Sequence, residues 1–170
     1  MTSPTSPPLL VVGGVAGCGK STLAAALATA LNLPFRDGDE FHPAANKAKM
    51  AAGQPLDDAD RAPWLAACAD QLAAWGKAGS GGVISASALK RQYRDVLYAA
   101  HPGVTYVLIA IKPEEAVRRA KARADHFWPA ELTMSQFTIL ELPTPDEQAV
   151  TVDALWPTPQ QVAEVTRLLG

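Results

Sequence analysis

Cysteine is scarce in this chain, and its scarcity excludes two ways of holding a protein together. Only Cys18 and Cys68 are present, with no CxxC pair and no metal-ligand spacing. Neither a disulfide framework nor a thiolate metal cluster is therefore expected, and a reduced, cytoplasmic setting is. Basic residues are missing from the opening MTSPTSPP, which removes the positive start of a secretory signal. The three prolines in that stretch disfavour the helix such signals form. Residues 1–8 are expected to be a disordered tail. Nowhere does an apolar run approach the ~18 residues of a membrane span. An excess of one charge is absent too. The formal net charge of −2 gives no broad reason to expect nucleic acid or a membrane as partner.

What is present suits one globular domain. The 170 residues are 48% hydrophobic and 19% charged, and a chain of this length buries roughly two-thirds of its unfolded surface. No repeat or linker divides it, so residues 9–170 are expected to fold as one unit.

The stretch LVVGGVAGCGKST at residues 10–22 admits two readings. Val15-Ala16-Gly17-Cys18 resembles the cleavage and lipidation box of a bacterial lipoprotein. The same letters contain Gly14-x-x-x-x-Gly19-Lys20-Ser21, a phosphate-binding loop. The missing basic start argues against the first, and the flanking sequence supports the second. Leu9–Val12 reads as a buried strand and Lys20–Leu31 as a helix, the context a phosphate loop requires.

Further along, Pro34–Asp39 reads as extended, Pro43–Ala52 and Asp60–Lys77 as helices, and Val83–Ser85 as a third strand. The Asp57/Asp58/Asp60 cluster opens the second helix near its positive end. Arg91–Ala100 is expected to be helical and Val104–Ile111 a β-branched strand. Pro113 starts another helix, and Asp125–Pro145 is expected to be a mobile, partly helical insertion. Ala149–Val152 and Gln160–Leu169 close the chain as strand and helix. This alternation implies an α/β fold, a largely parallel sheet covered on both faces.

Three groups of residues carry chemistry. In the glycine loop, backbone N–H groups from Gly14 through Val15, Ala16, Gly17, Cys18, Gly19, Lys20, Ser21 and Thr22 can surround a polyphosphate. The helix N-terminus adds positive charge, Lys20 reaches the outer phosphates, and the Ser21 hydroxyl suits Mg²⁺. Within that loop Cys18 is read as a small tolerated residue. Asp37 and Asp39, in an extended segment, would point the same way. One can hold Mg²⁺, while the other takes a proton from an attacking hydroxyl. His42 follows closely, although a lone histidine is more often structural. Among the basic residues, Arg119 and Arg123 share a helical face suited to phosphoryl charge, with surface pairing of Glu114–Arg118 and Glu115–Arg119 as the plainer alternative. Lys90, Arg91 and Arg94 follow the third strand, a position that faces the ligand crevice in such folds.

The combination resembles the small P-loop gluconokinases, relatives of shikimate kinase and the nucleoside-monophosphate kinases. The matching stretches are GVAGCGKST, DGDEFHP, NKAKMAAGQPLDDADRAPWL, SALKRQYRD, HF at 126–127, QFTILELP and DE at 146–147. This resemblance implies a three-layer P-loop kinase fold with five parallel strands ordered 2-3-1-4-5, helices on both faces, and a mobile lid at about 123–145. It also implies ATP-dependent phosphorylation of D-gluconate and a homodimer. Gly14–Thr22 match the ATP loop, and Asp37 and Asp39 the paired acids. Lys20, Asp39 and Arg123 match catalytic positions, and Arg119 and Arg123 nucleotide-facing lid arginines. His42, Arg61 and Lys90, with Asp37 and Asp39, match the acceptor site. Ser21 and Asp37 match the metal position.

Three departures from the family pattern stand out. Ala86 replaces a usual cysteine, Ala124-Asp125 replace Lys-Gly before His-Phe, and Trp128 is bulkier than the usual residue. The change at 124–125 motivates an alternative, a nucleotide-binding regulator with an impaired lid. A kinase of another sugar acid or polyol is the alternative within the same chemistry.

Overall fold

The computed structural model describes residues 6–122 and 130–170. Its elements alternate as expected: β1 (Leu9–Gly13), α1 (Lys20–Leu31), β2 (Phe35–Asp37), α2 (Ala44–Ala51), α3 (Asp58–Ala78), β3 (Gly82–Ser85), α4 (Arg91–Tyr98), β4 (Val104–Ala110), α5 (Pro113–Ala122), α6 (Ala130–Ile139), β5 (Ala149–Asp153) and α7 (Thr158–Leu169). The five strands form one sheet ordered β2-β3-β1-β4-β5, and every pairing is parallel.

Successive residues of β1 face opposite sides of the sheet. Leu10 and Val12 pack with Leu23 and Leu27 of α1 and Val165 of α7. Leu9 and Val11 pack with Trp64 and Leu72 of α3 and Leu97 of α4. The all-apolar burial of β1 follows from cover on both faces. From this central strand the chain builds β2 and β3 on one side and β4 and β5 on the other. Ligand crevices in open parallel sheets lie at such a reversal, at the strands' C-terminal ends.

Several boundaries differ from the sequence reading. The extended segment expected at Pro34–Asp39 stops at Asp37, and Gly38–Phe41 form a 3-10 turn. The Asp37 carboxylate starts that turn by accepting the Asp39 N–H at 3.0 Å. Asp37 and Asp39 are therefore not aligned by strand alternation. The helix expected from Asp60 begins at Asp58, because Asp57 and Asp60 form a reciprocal capping box. In the expected tail, Pro7 and Pro8 pack against Gly81, and the Pro8 carbonyl accepts the Gly82 N–H. Pro7 and Pro8 are therefore packed onto the start of β3. Among the described residues no helix is long and apolar enough to cross a membrane.

Candidate active site

The loop between β1 and α1 wraps the N-terminus of α1. Gly17 has φ +85°, and a Cβ there would lie 2.9 Å from the Ala116 carbonyl, so the turn admits only glycine without strain. Gly19 caps α1 without a side-chain hydrogen bond, which leaves first-turn N–H groups for an anion. Lys20 lies beside the loop, its Nζ donating to the Val15 carbonyl at 3.3 Å. Val15 and Cys18 are buried in the core. The Cys18 thiol is pushed up by burial, partly opposed by Lys20. It is therefore a packed thiol rather than a reactive thiolate.

Above the loop opens a cavity of about 730 Å³. Lys20, Ser21, Asp37, Asp39, His42 and Arg61 all line it. The Ser21 hydroxyl donates to Asp37 Oδ2 at 3.4 Å, and the Ser85 hydroxyl to Asp37 Oδ1 at 3.2 Å. One hydroxyl and one carboxylate beside an anion loop suit a magnesium ion whose shell phosphates and water complete. No group of three or more His, Cys, Asp or Glu that could hold a metal exists among the described residues; Ser21 and Asp37, joined by a hydrogen bond, remain a candidate pair.

Gly38 allows this arrangement, because a Cβ there would collide with the Ser85 carbonyl. The opposite wall comes from α2 and α3. Arg61 donates to the Leu56 carbonyl and, at 3.2 Å, to the Tyr93 hydroxyl. Tyr93 also bonds Asp58, and Lys90 pairs with Asp58 at 3.0 Å. Lys90 does not line the cavity; it stands behind Arg61, joined to it through Asp58 and Tyr93. The Asp58 carboxyl is held down at about 2 by the Tyr93 and Lys90 hydrogen bonds.

A second, smaller pocket lies on the other side of the loop and shares Gly17 and Gly19 with the first. Thr22, Arg119, Trp156 and Gln161 line it. Arg119 donates to the carbonyls of Gly17, Cys18 and Ala154 and pairs with Glu115 at 2.9 Å. Glu115 also takes Arg118, whereas the sequence reading paired Arg118 with Glu114. Arg123, Ala124, Asp125, His126, Phe127 and Trp128 lie outside the described residues.

Arg91 and Arg94, read together with Lys90 as crevice-facing, also stand away from the cavity. Arg94 is 1% exposed and pairs with Glu147 at 2.6 Å, while Arg91 binds Asp95 and Asp146 on the surface. The DE pair at 146–147 thus holds these arginines. Ala86 sits buried beside Gly38, where a small side chain fits.

Two contributors escaped the sequence reading. Gln136 of α6 accepts the Ala16 N–H at 2.6 Å and lines the main cavity, which ties the described part of the expected lid to the phosphate loop. Trp64, nearly fully buried, donates its indole N–H to the Gly38 carbonyl at 2.8 Å. Both stretches carried family letters, QFTILELP and PWL, but only the folded chain brings them to the loop.

A family model described as an AAA domain matches residues 9–149. A gluconokinase of Gluconobacter oxydans is 49% identical over 86% of this chain and 82% of its own length. The chain belongs to the gluconokinase family. Its fold agrees with that family. A sugar kinase from a Janibacter species superposes with a TM-score of 0.91 at 39% identity, covering 95% of this chain and 94% of that one. A Sinorhizobium meliloti gluconokinase superposes at 0.84 and 37% identity, covering 96% of each chain. The sheet order expected from the family resemblance is the order observed.

Proposed function

We propose that this gluconokinase-family protein transfers the γ-phosphoryl group of ATP to D-gluconate, giving ADP and 6-phospho-D-gluconate. The observation that carries this reading is the main cavity, in which the phosphate loop faces two carboxylates, an imidazole and a guanidinium. Such a cavity can hold a phosphoryl donor and a hydroxyl-rich acid side by side. The gluconokinase relatives decide which acid.

The backbone N–H groups of Gly17 and of Gly19 to Thr22 seat the ATP phosphates, those of Gly14, Ala16 and Cys18 being taken by Ser87, Gln136 and Val15, and Lys20 neutralises the outer phosphates. The base and ribose extend into the second pocket, toward Thr22 and Arg119. Arg123 joins them from the lid in this reading. Arg61 and His42 bind the carboxylate and hydroxyls of gluconate, and Lys90, paired with Asp58, braces Arg61 from behind through Tyr93. Asp39 then orients the 6-hydroxyl and takes its proton as the oxygen bonds to γ-phosphorus. The bond from γ-phosphorus to the bridging oxygen breaks in line, and ADP leaves. Ser21 and Asp37 would hold Mg²⁺, which would supply positive charge to the phosphates. The Gln136 contact sets α6 against the loop.

Two buried, unpaired cysteines fit the cytoplasmic location in this reading. A homodimer comes with the family resemblance, and light scattering on the purified chain checks it. The enzymatic test is coupled ADP release with and without gluconate. Gluconate-dependent turnover is expected, and its absence in folded, ATP-binding protein overturns the proposal. An Asp39→Asn variant with normal turnover would remove the base assignment alone.

A further inference from the structure

His42 stacks on Trp64 with ring centroids 4.5 Å apart and planes 10° from parallel. Because the Trp64 indole is held by the Gly38 carbonyl, the plane of the imidazole is fixed. Its rotation within that plane is fixed by Asn46, which is 3% exposed and does not line the cavity.

Asn46 Nδ2 lies 2.8 Å from the Asp60 carbonyl oxygen and 3.2 Å from His42 Nδ1. A carbonyl oxygen only accepts, so the amide atom facing Asp60 must be the nitrogen. That nitrogen carries a second N–H, and its other neighbour is His42 Nδ1. Nδ1 must therefore accept, which leaves the ring proton on Nε2. An imidazolium is disfavoured by the same contact, since it would set one N–H against another. Asp60 is itself held in place by the capping box and by Lys49 at 2.6 Å. Burial pushes the imidazole pKa down, the Asp39 charge opposes this, and Arg61 and Lys47 reinforce it.

We propose that Asn46 locks His42 as the neutral Nε2–H tautomer, so that the cavity receives one N–H donor of fixed direction for a hydroxyl or carboxylate oxygen of the acceptor. The inference rests on the acceptor-cavity reading above and makes Asn46 a positioning residue for acceptor selection. A donor fixed in this way would be left without a partner by an acceptor lacking the matching oxygen, and this penalises such molecules.

The decisive measurement is long-range ¹H–¹⁵N correlation of the imidazoles in the ligand-free wild-type protein near pH 7, with His42 assigned by its loss in His42→Gln. One pyridine-like nitrogen at Nδ1 and a protonated Nε2 are expected. A protonated Nδ1 in wild type overturns the proposal without any variant having to fold. The kinetic arm compares Asn46→Asp, whose carboxylate would draw a proton onto Nδ1. It is expected to lower kcat/KM for gluconate by more than about tenfold while the KM for ATP stays within about twofold, a selective loss of acceptor discrimination. Equal effects on both substrates, or none, would overturn the positioning role. His42→Gln, which keeps an N–H donor, should retain more gluconate activity than His42→Leu, and equal losses would contradict the donor role. Wild-type protein without gluconate turnover but with the expected tautomer would instead overturn the functional reading.

Discussion

The two sides of the phosphate loop are built from different materials. On the nucleotide side the main chain does most of the work: Gly17 turns at positive φ, and Arg119 binds three carbonyls. On the acceptor side, side chains brace one another. Trp64 bonds Gly38, Asn46 bonds Asp60 and His42, and Arg61 bonds Tyr93. A main-chain phosphate site serves any nucleoside triphosphate, whereas a side-chain lattice can discriminate one polyhydroxy acid from another. On the proposed reading, selectivity is concentrated in α2, α3 and the turn at Gly38–Phe41.

In the proposed reaction Lys20 neutralises the transferring phosphoryl group, and its removal should have the largest effect. Lys20→Ala is expected to lower kcat by about three orders of magnitude, as loss of a main transition-state charge partner does. Coupled ADP release checks the rate, and circular dichroism checks that the fold survives.

Behind the acceptor side lies the Arg94–Glu147 pair, with side chains 1% and 0% exposed. Burial raises the Glu147 pKa, but the bonds from Arg94, the Thr144 N–H and Tyr98 outweigh it and hold it at about 2. Since the folded value lies below the unfolded ~4.3, this carboxylate contributes stability above that pH and loses it as pH falls toward 2. Glu147→Gln leaves Arg94 buried without its counter-charge and should cost about 3–5 kcal/mol at pH 7. The penalty should shrink in acid, where the wild type loses the same pairing. Urea unfolding across pH 3–7 measures both.

Gly38→Ala separates the two sides more sharply. The added Cβ must push the turn off the Ser85 carbonyl, which strains the Trp64 contact and should cost about 1–3 kcal/mol. The KM for gluconate should rise while nucleotide binding is spared, and thermal melts with two-substrate kinetics test this. Cys18→Ala, on the nucleotide side, should be the mildest change. It removes a small buried group at a cost of about 1 kcal/mol, and turnover should stay within twofold of wild type.

Much of the nucleotide side was legible in the sequence because it is local. The glycine spacing, Lys20 and the following helix all lie between Gly14 and Leu31, and loop chemistry alone explains them. Sheet order followed from the family resemblance. The turn at Gly38–Phe41 was not legible, because Gly38 is set by the distant Ser85 carbonyl and by Trp64. Arg94 looked like a crevice residue until Glu147, 53 positions away, drew it inward. The bond between Gln136 and Ala16 spans 120 positions, and nothing local announces it. Composition and periodicity report which residues are near in sequence, and the acceptor side is made of residues that are not.

Arg61→Ala, assayed with both substrates varied, tests the division between the two sides most directly. If the acceptor side alone carries gluconate recognition, the KM for gluconate should rise at least about tenfold, as losing a charged hydrogen-bond donor implies, with the KM for ATP almost unchanged. A rise in both constants together, or in that for ATP alone, would contradict the account.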